Sequence, residues 1–169
     1  MLPCGAETRV LPQFIFGGMS TEWYSAIYLV NSGPDLVIVP MRFFYNNGQP
    51  MPVPIGTAFP ATNPAVAIPP HGLAVIEPRN PGSITSEGWA LIDLPPDVFA
   101  SGVFRLSVQG QPDQEAVVPL SNNTSKRVLI SFDDSENMRT GVAVTNPTEG
   151  DINVTITART NNGEQSARV

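Results

Sequence analysis

Two adjacent aromatic residues are the first candidates for chemistry in this sequence. Trp23 and Tyr24 lie in the stretch STEWYSA, where a loop meets a predicted strand. Exposed aromatic rings at such a junction can stack on sugar rings, so the pair is a candidate carbohydrate-binding site. The alternative is structural, with both rings packed in a core or between domains.

The densest acidic cluster is the stretch FDDSEN, residues 132–137. Asp133, Asp134 and Glu136 carry carboxylate oxygens, which are the ligands that Ca²⁺ prefers. Calcium is therefore the candidate metal, and no other cofactor is expected. The spacing is not that of an EF-hand loop, and a solvated hairpin loop explains the same composition.

Catalytic residues are scarce in this chain. The single histidine, His71, would have to serve any Ser-His-Asp or Cys-His arrangement, and it lies in the turn sequence PPHGL. Asp113 and Glu115 are two residues apart and share a strand face, as general acid–base catalysis would require of a carboxylate pair. Pairing of Glu115 with Arg105 on a neighbouring strand is the structural alternative. We expect no enzymatic activity.

Composition limits the classes of partner. The net charge is −6 and the nine basic residues are scattered, which argues against nucleic acid. No apolar run approaches the roughly 20 residues of a membrane span. The start, MLPCGAETRV, lacks the basic and apolar regions of a signal peptide, and with Cys4 as the sole cysteine no intrachain disulfide is expected.

Short apolar–polar alternations separated by Pro, Gly and Asp turns predict strands rather than helices. We count about eight strands over residues 11–120 and predict an all-β fold, an antiparallel β-sandwich, after a tail of residues 1–10. Trp89 alternates with Leu91 and is predicted to lie in the core. The run from Leu36 to Phe44 is apolar on both sides and is predicted to be covered on both.

An internal repeat extends this prediction. An offset of 115 residues aligns YNNG, residues 45–48, with TNNG, residues 160–163, and the register holds back to residues 15 and 130. Residues 126–169 are therefore predicted to be the first half of a second β-sandwich repeat, with strands near residues 127–132, 138–146 and 151–160. In both copies Asn-Gly predicts a hairpin turn.

The stretches GVFRLSVQGQPDQEAVVPLS, LPQFIFGG and GVAVTNPT carry a resemblance to a family. The chain resembles secreted bacterial tandem-repeat proteins, mostly uncharacterised, whose domains are immunoglobulin-like or fibronectin-like β-sandwiches. The resemblance spans nearly the whole chain and implies a sandwich fold and an extracellular or cell-surface location. Its motifs are structural, so it implies no active site.

The expected function is that of a non-enzymatic extracellular repeat module, a structural spacer or a module for adhesion and protein interaction. The alternative is a carbohydrate-binding module that uses Trp23 and Tyr24. The apolar residues of the incomplete repeat must be covered, and we expect packing on the Leu36–Phe44 strand or a homodimer through the second repeat.

Overall fold

The structure is a computed structural model that describes residues 5–19, 21–56, 59–79, 82, 84–122, 125–133, 135 and 140–168. It is an all-β structure, and the described residues contain no helix. The strands are β1 (Glu7–Phe16), β2 (Thr21–Asn31), β3 (Val37–Tyr45), β4 (Ala65–Ile68), β5 (Leu73–Ile76), β6 (Ser86–Leu94), β7 (Val98–Val108), β8 (Gln114–Pro119), β9 (Thr157–Arg159) and β10 (Gln165–Arg168).

The first eight strands form two antiparallel sheets that share one core. The first sheet has the order β1-β6-β3-β4 and the second has the order β5-β2-β7-β8. Consecutive strands therefore often lie in opposite sheets, and the chain crosses between them after β1, β2, β4, β5 and β6. Strands β9 and β10 pair only with each other.

The core forms because alternate residues of both sheets are apolar and face each other. Phe14 of β1 packs on Phe43 of β3 with ring centroids 4.8 Å apart, and Ile27 and Leu29 of β2 complete the layer from the second sheet. Each buried aliphatic or aromatic side chain stabilises the fold by about 1.5–3 kcal/mol. Leu120, which follows β8, also lies in this core, and the adjacent Ser121 forms a backbone bridge to Val10 of β1.

The first eight strands follow the sequence patterns. The Pro- and Ala-rich stretch of residues 56–70 contains one short strand, β4. After Pro95 the chain turns sharply at Asp97, whose φ is 65°, and enters β7 at Val98. The backbone N–H of Val98 donates to the carbonyl of Pro95 at 3.3 Å and closes this turn.

The prediction that the strand of residues 36–44 is covered on both sides is wrong for its first half. Leu36 is 61% exposed and Ile38 is 54% exposed. Farther along β3 the outer side does gain partners: Phe44 stacks on Trp89 with ring centroids 4.5 Å apart, and Arg42 bonds to Asp93. The sequence shows apolar character on both faces, but it does not show where a covering layer ends.

The same outer side corrects the assignment of Trp89 to the core. The inward residues of β6 are Ala90, Ile92 and Leu94, so Trp89 belongs to the opposite face and is half-buried there. On that face Asp93 is buried. It accepts a hydrogen bond from Thr8 Oγ1 at 2.6 Å and one from Arg42 Nη2 at 3.2 Å. These contacts tie β1, β6 and β3 together.

Residues 125–168 differ from the predicted half-sandwich. The described part of residues 125–156 forms no strand, and only the short β9–β10 hairpin is paired. Packing on the Leu36–Phe44 strand is not observed at Leu36 and Ile38. The contact to the first unit lies elsewhere, where Thr145 Oγ1 donates to the carbonyl of Pro12 at 2.9 Å. Strands require partner strands for their backbone groups, and these residues match only β1–β3 in the repeat alignment.

The turns of this segment nevertheless repeat those of the first unit. The N–H of Tyr45 donates to the carbonyl of Gln49 at 2.8 Å, and that of Thr160 donates to the carbonyl of Glu164 at 2.9 Å. The glycine N–H closes each turn at 2.9 Å, with φ of 81° at Gly48 and 87° at Gly163. The glycine of each Asn-Gly pair supplies the left-handed backbone that such turns need.

Candidate functional site

The outer surface of the second sheet is the most distinctive surface of the described chain. Residues opposite one another in antiparallel strands project from the same face. The register places Val30 of β2 between Phe99 of β7 and Leu73 of β5, and it places Tyr28 next to Val75. On the other flank Val103 of β7 lies opposite Val117 of β8.

These residues form a contiguous patch that we call the outer apolar face. Phe99 is 66% exposed, Val117 64% and Leu73 58%. Scattered exposed apolar residues are ordinary, whereas the largest contiguous apolar patch on a soluble protein is often functional. The outer apolar face consists of Tyr28, Val30, Leu73, Val75, Phe99 and Val117, beside the buried Val103.

A row of polar contacts borders this face at one end, and we call it the polar row: Glu77, Tyr24, Arg105 and Glu115. The Tyr24 hydroxyl donates a short hydrogen bond to Glu77. Arg105 donates through Nε at 3.1 Å and Nη2 at 3.0 Å to Glu115, and its guanidinium lies 5.0 Å from the centre of the Tyr24 ring. The sequence-based pairing of Glu115 with Arg105 is therefore present.

The polar row shifts the protonation equilibria of two of its members. Burial raises the pKa of Tyr24 above its usual range, and the hydrogen bond to Glu77 raises it further. The hydrogen bond to Glu115 raises the pKa of Arg105. Both shifts stabilise the forms present at neutral pH, a neutral phenol and a charged guanidinium. The row is thus a fixed set of paired groups at neutral pH.

The sequence pair Trp23–Tyr24 does not form one platform. Neighbouring residues of a strand point to opposite faces, and Ser25, Ile27 and Leu29 of β2 are buried on the core side, the side to which Trp23 belongs. The backbone of Trp23 is bonded to Gly17, and its N–H donates at 2.9 Å. Tyr24 instead shares the outer surface with Tyr28, which the strand register reveals.

A second concave region lies beside the first sheet. A cavity of about 390 Å³ is bordered by the half-buried Trp89 and by the chain segment of residues 142–146. Polar side chains of Gln13, Asn46 and Glu87 also line it. It is open to solvent, and its walls come from the first unit on one side and the C-terminal segment on the other.

The candidate calcium ligands are described only in part. Asp133 Oδ1 accepts hydrogen bonds from the Ser135 hydroxyl at 2.6 Å and the Ser135 N–H at 2.9 Å, and these bonds lower the pKa of Asp133. Asp134 and Glu136 lie outside the described residues. Within the described ranges no three His, Cys, Asp or Glu side chains are grouped as a metal site would require.

The remaining candidates are separate from one another. His71 is exposed in the turn between β4 and β5, with φ of 54°, and its backbone N–H donates to the Gly33 carbonyl at 3.2 Å. Asp113 is exposed just before β8, and Glu115 belongs to the polar row. No hydrogen bond that the structure describes joins His71 to Asp113 or Glu115.

In the part of the chain that the structure describes, no helix is long and apolar enough to cross a membrane. Comparison of the chain with protein-family models, with curated proteins and with solved structures gives no match.

Proposed function

We propose that this chain is a non-enzymatic extracellular repeat module, in which residues 126–168 repeat residues 11–53 of an immunoglobulin-like β-sandwich, and that it binds a protein partner through the outer apolar face. The observation that carries the proposal is the exposure of this face. Three of its large apolar side chains, those of Phe99, Val117 and Leu73, are each more than half exposed.

The arrangement of the face supports a protein partner. Four strands about 4.8 Å apart, with same-face residues about 7 Å apart along each strand, give a patch of roughly 300 Å². Protein interfaces combine a desolvated apolar centre with a polar rim. The outer apolar face has this form, with the polar row along one border. An adhesion or spacer module needs such a contact surface and no reacting groups.

The proposed duplication is supported by paired turns. The hydrogen bonds that close the turn at Gly48 recur at Gly163, and the bridge between Phe44 and Pro50 recurs between Arg159 and Gln165. The extracellular setting rests on the resemblance to secreted repeat proteins.

Binding to an array of extracellular matrix and bacterial surface proteins tests the proposal. Phe99→Asp places a charge at the most exposed of the three side chains named above for the outer apolar face and should weaken every genuine interaction at least tenfold. Ile38→Asp is the matched control, since Ile38 is also an exposed strand residue but lies on the first sheet. Equal binding by the wild-type chain and Phe99→Asp would exclude the face as the binding surface.

A carbohydrate ligand is the second candidate, favoured by Tyr24 and Tyr28. These rings lie on one surface, four residues and therefore about 13 Å apart, and the carboxylates and guanidinium of the polar row are beside them. A glycan array tests this function. Tyr28→Ala should abolish binding, whereas Phe59→Ala, an exposed aromatic outside the strands, should leave it intact.

A further inference from the structure

The cavity beside the first sheet is lined by polar side chains that form no hydrogen bond within the fold. Gln13, Asn46 and Glu87 line this cavity of about 390 Å³. In the part of the chain that the structure describes, none of these three side chains takes part in a hydrogen bond. Their donors and acceptors are therefore available to a ligand. The volume lies within the range of about 300–1,000 Å³ that is usual for small-molecule sites.

A β-bulge in β1 brings one of these polar residues beside Trp89. The register of β1 with β6 shifts between Leu11 and Phe14. The shift places two residues, Pro12 and Gln13, opposite Trp89 alone. Bulges redirect side chains and are frequent next to functional sites. The bulge therefore explains why Gln13 and the indole ring of Trp89 line the same cavity.

Trp89 supplies the apolar wall of the cavity. Its indole ring stacks on the ring of Phe44 of β3, with centroids 4.5 Å apart and an interplanar angle of 21°. This contact holds the ring in place, and the half-buried indole keeps part of its surface on the cavity. Glu87 precedes Trp89 by two residues on β6, so the two side chains project from the same side of the sheet about 7 Å apart.

The combination of side chains favours a neutral ligand with several hydroxyl groups. The amides of Gln13 and Asn46 both donate and accept hydrogen bonds, whereas the carboxylate of Glu87 only accepts them. A hydroxyl group matches both kinds of partner, but an ammonium group has no acceptor for the amide N–H groups. Glu87 is the only charged residue among the described residues that line the cavity, and its charge disfavours an anionic ligand. A pyranose ring presents C–H groups that pack on an indole and hydroxyl groups around its edge.

We propose that this cavity binds the terminal sugar ring of a neutral oligosaccharide, which stacks on Trp89 and bonds through its hydroxyl groups to the three polar side chains. All four recognition side chains belong to the first unit. The site therefore does not depend on what covers residues 125–168, although residues 142–146 form its opposite wall. The inference goes beyond the protein-binding function proposed above, because it lies on the first sheet and the outer apolar face lies on the second.

NMR of the nitrogen-15-labelled chain tests where a saccharide binds, because the chain has two tryptophans. Trp23→Phe assigns the two indole N–H signals. The probes are maltotriose, cellotriose, mannotriose and triacetylchitotriose, each at millimolar concentration. At least one probe should shift the Trp89 signal and leave the Trp23 signal in place. Failure of all four probes to shift the Trp89 signal overturns the inference.

Calorimetric titration with the probe that binds tests the recognition side chains. Trp89→Ala and Glu87→Gln should each weaken binding at least tenfold, and Gln13→Ala should weaken it several-fold. Glu87→Gln and Gln13→Ala change side chains outside the core, so they test the site even if Trp89→Ala disturbs the fold. Affinity equal to that of the wild-type chain in both Glu87→Gln and Gln13→Ala overturns the inference. Glu115→Gln is the matched control, an exposed strand glutamate on the second sheet, and should bind as the wild-type chain does.

Two further comparisons separate this site from other ligands and surfaces. Tyr28→Ala should retain the saccharide. Loss of binding in Tyr28→Ala with full binding in Glu87→Gln would assign the sugar to the second sheet and refute the site proposed here. Choline tests for a cation site, since an aromatic ring beside a carboxylate also attracts quaternary ammonium groups. A chain that binds choline but none of the four trisaccharides would likewise overturn the inference.

Discussion

Asn31 and Asn146 lie 115 residues apart and form the same pair of hydrogen bonds. Asn31 Nδ2 donates to the Asp35 carbonyl at 2.7 Å, and Asn146 Nδ2 donates to the Gly150 carbonyl at 2.7 Å. Each Oδ1 accepts the N–H two residues farther on, at 3.0 Å for Asn31 and 3.1 Å for Asn146. Asn31 also donates to the end of β4, at 3.0 Å to Pro69, so only Asn31 joins its turn to another strand.

We therefore expect Asn31→Ala to be far more destabilising than Asn146→Ala. Asn31 is fully buried and its loss leaves several backbone groups without their partner, a cost of about 2–3 kcal/mol. Asn146 is half-buried in a local turn, and its removal should cost below about 1 kcal/mol. Urea denaturation of both variants measures the difference, and equal midpoints would contradict the different roles assigned to the two turns.

The matched pair Val39 and Val154 gives a second contrast. Val39→Asp places an unpaired charge in the core and should cost several kcal/mol, a large part of the roughly 5–15 kcal/mol that stabilises a domain. Val154 is 49% exposed, so Val154→Asp should leave the melting temperature of the sandwich unchanged. The sequence alone predicts severe effects at both positions. Thermal denaturation followed by circular dichroism measures both, and a large loss in Val154→Asp would show that the second unit supports the first.

The positions of the strands in the first unit were predictable because local alternation and Pro/Gly turns define each strand. The same reasoning predicted three strands in residues 127–160, where the described residues form only the short strand β9. Alternation shows which residues would face a core, but a strand exists only when neighbouring strands bond its backbone, and those neighbours have no counterpart in residues 126–168.

The candidate site was less predictable than the strands. Glu115 and Arg105 are ten residues apart on consecutive strands, so their pairing follows from a hairpin. Tyr24 and Glu77 are 53 residues apart and meet only because β5 lies next to β2. Strand order between sheets depends on the packing of the whole chain, which alternation in a single segment does not record.

Two arginine–carboxylate pairs should differ in their effects on stability. Arg42 bonds to Asp93, whose side chain is only 4% exposed, whereas Arg105 bonds to Glu115, whose side chain is 47% exposed. Arg42→Met leaves a buried carboxylate with one fewer partner and should cost about 1–3 kcal/mol. Arg105→Met should cost below about 1 kcal/mol, as for exposed pairs. Chemical denaturation measures the free energy of unfolding of both variants. A larger loss in Arg105→Met than in Arg42→Met would contradict the prediction.

Tyr24 gives a prediction for alkaline pH. Its folded pKa is raised, mainly by burial and then by Glu77, above the unfolded value of about 10. The corresponding stabilisation is fully present below pH about 10 and is lost as the pH rises through the folded pKa. Glu77→Gln should lower the titration midpoint of the Tyr24 hydroxyl but leave it above pH about 10, because burial still raises the pKa. An NMR titration of the Tyr24 ring measures this, and a midpoint unaffected by Glu77→Gln would remove Glu77 as a cause.

Amide hydrogen exchange tests most directly the claim that the first unit is a paired sandwich whereas the matching residues 142–156 form no sheet. β2 and β3 are each paired with strands on both sides, so their residues 27–31 and 37–41 should be protected. The matched residues 142–146 and 152–156 belong to no strand and should exchange rapidly. Protection of residues 142–156 equal to that of residues 27–41 would contradict the account.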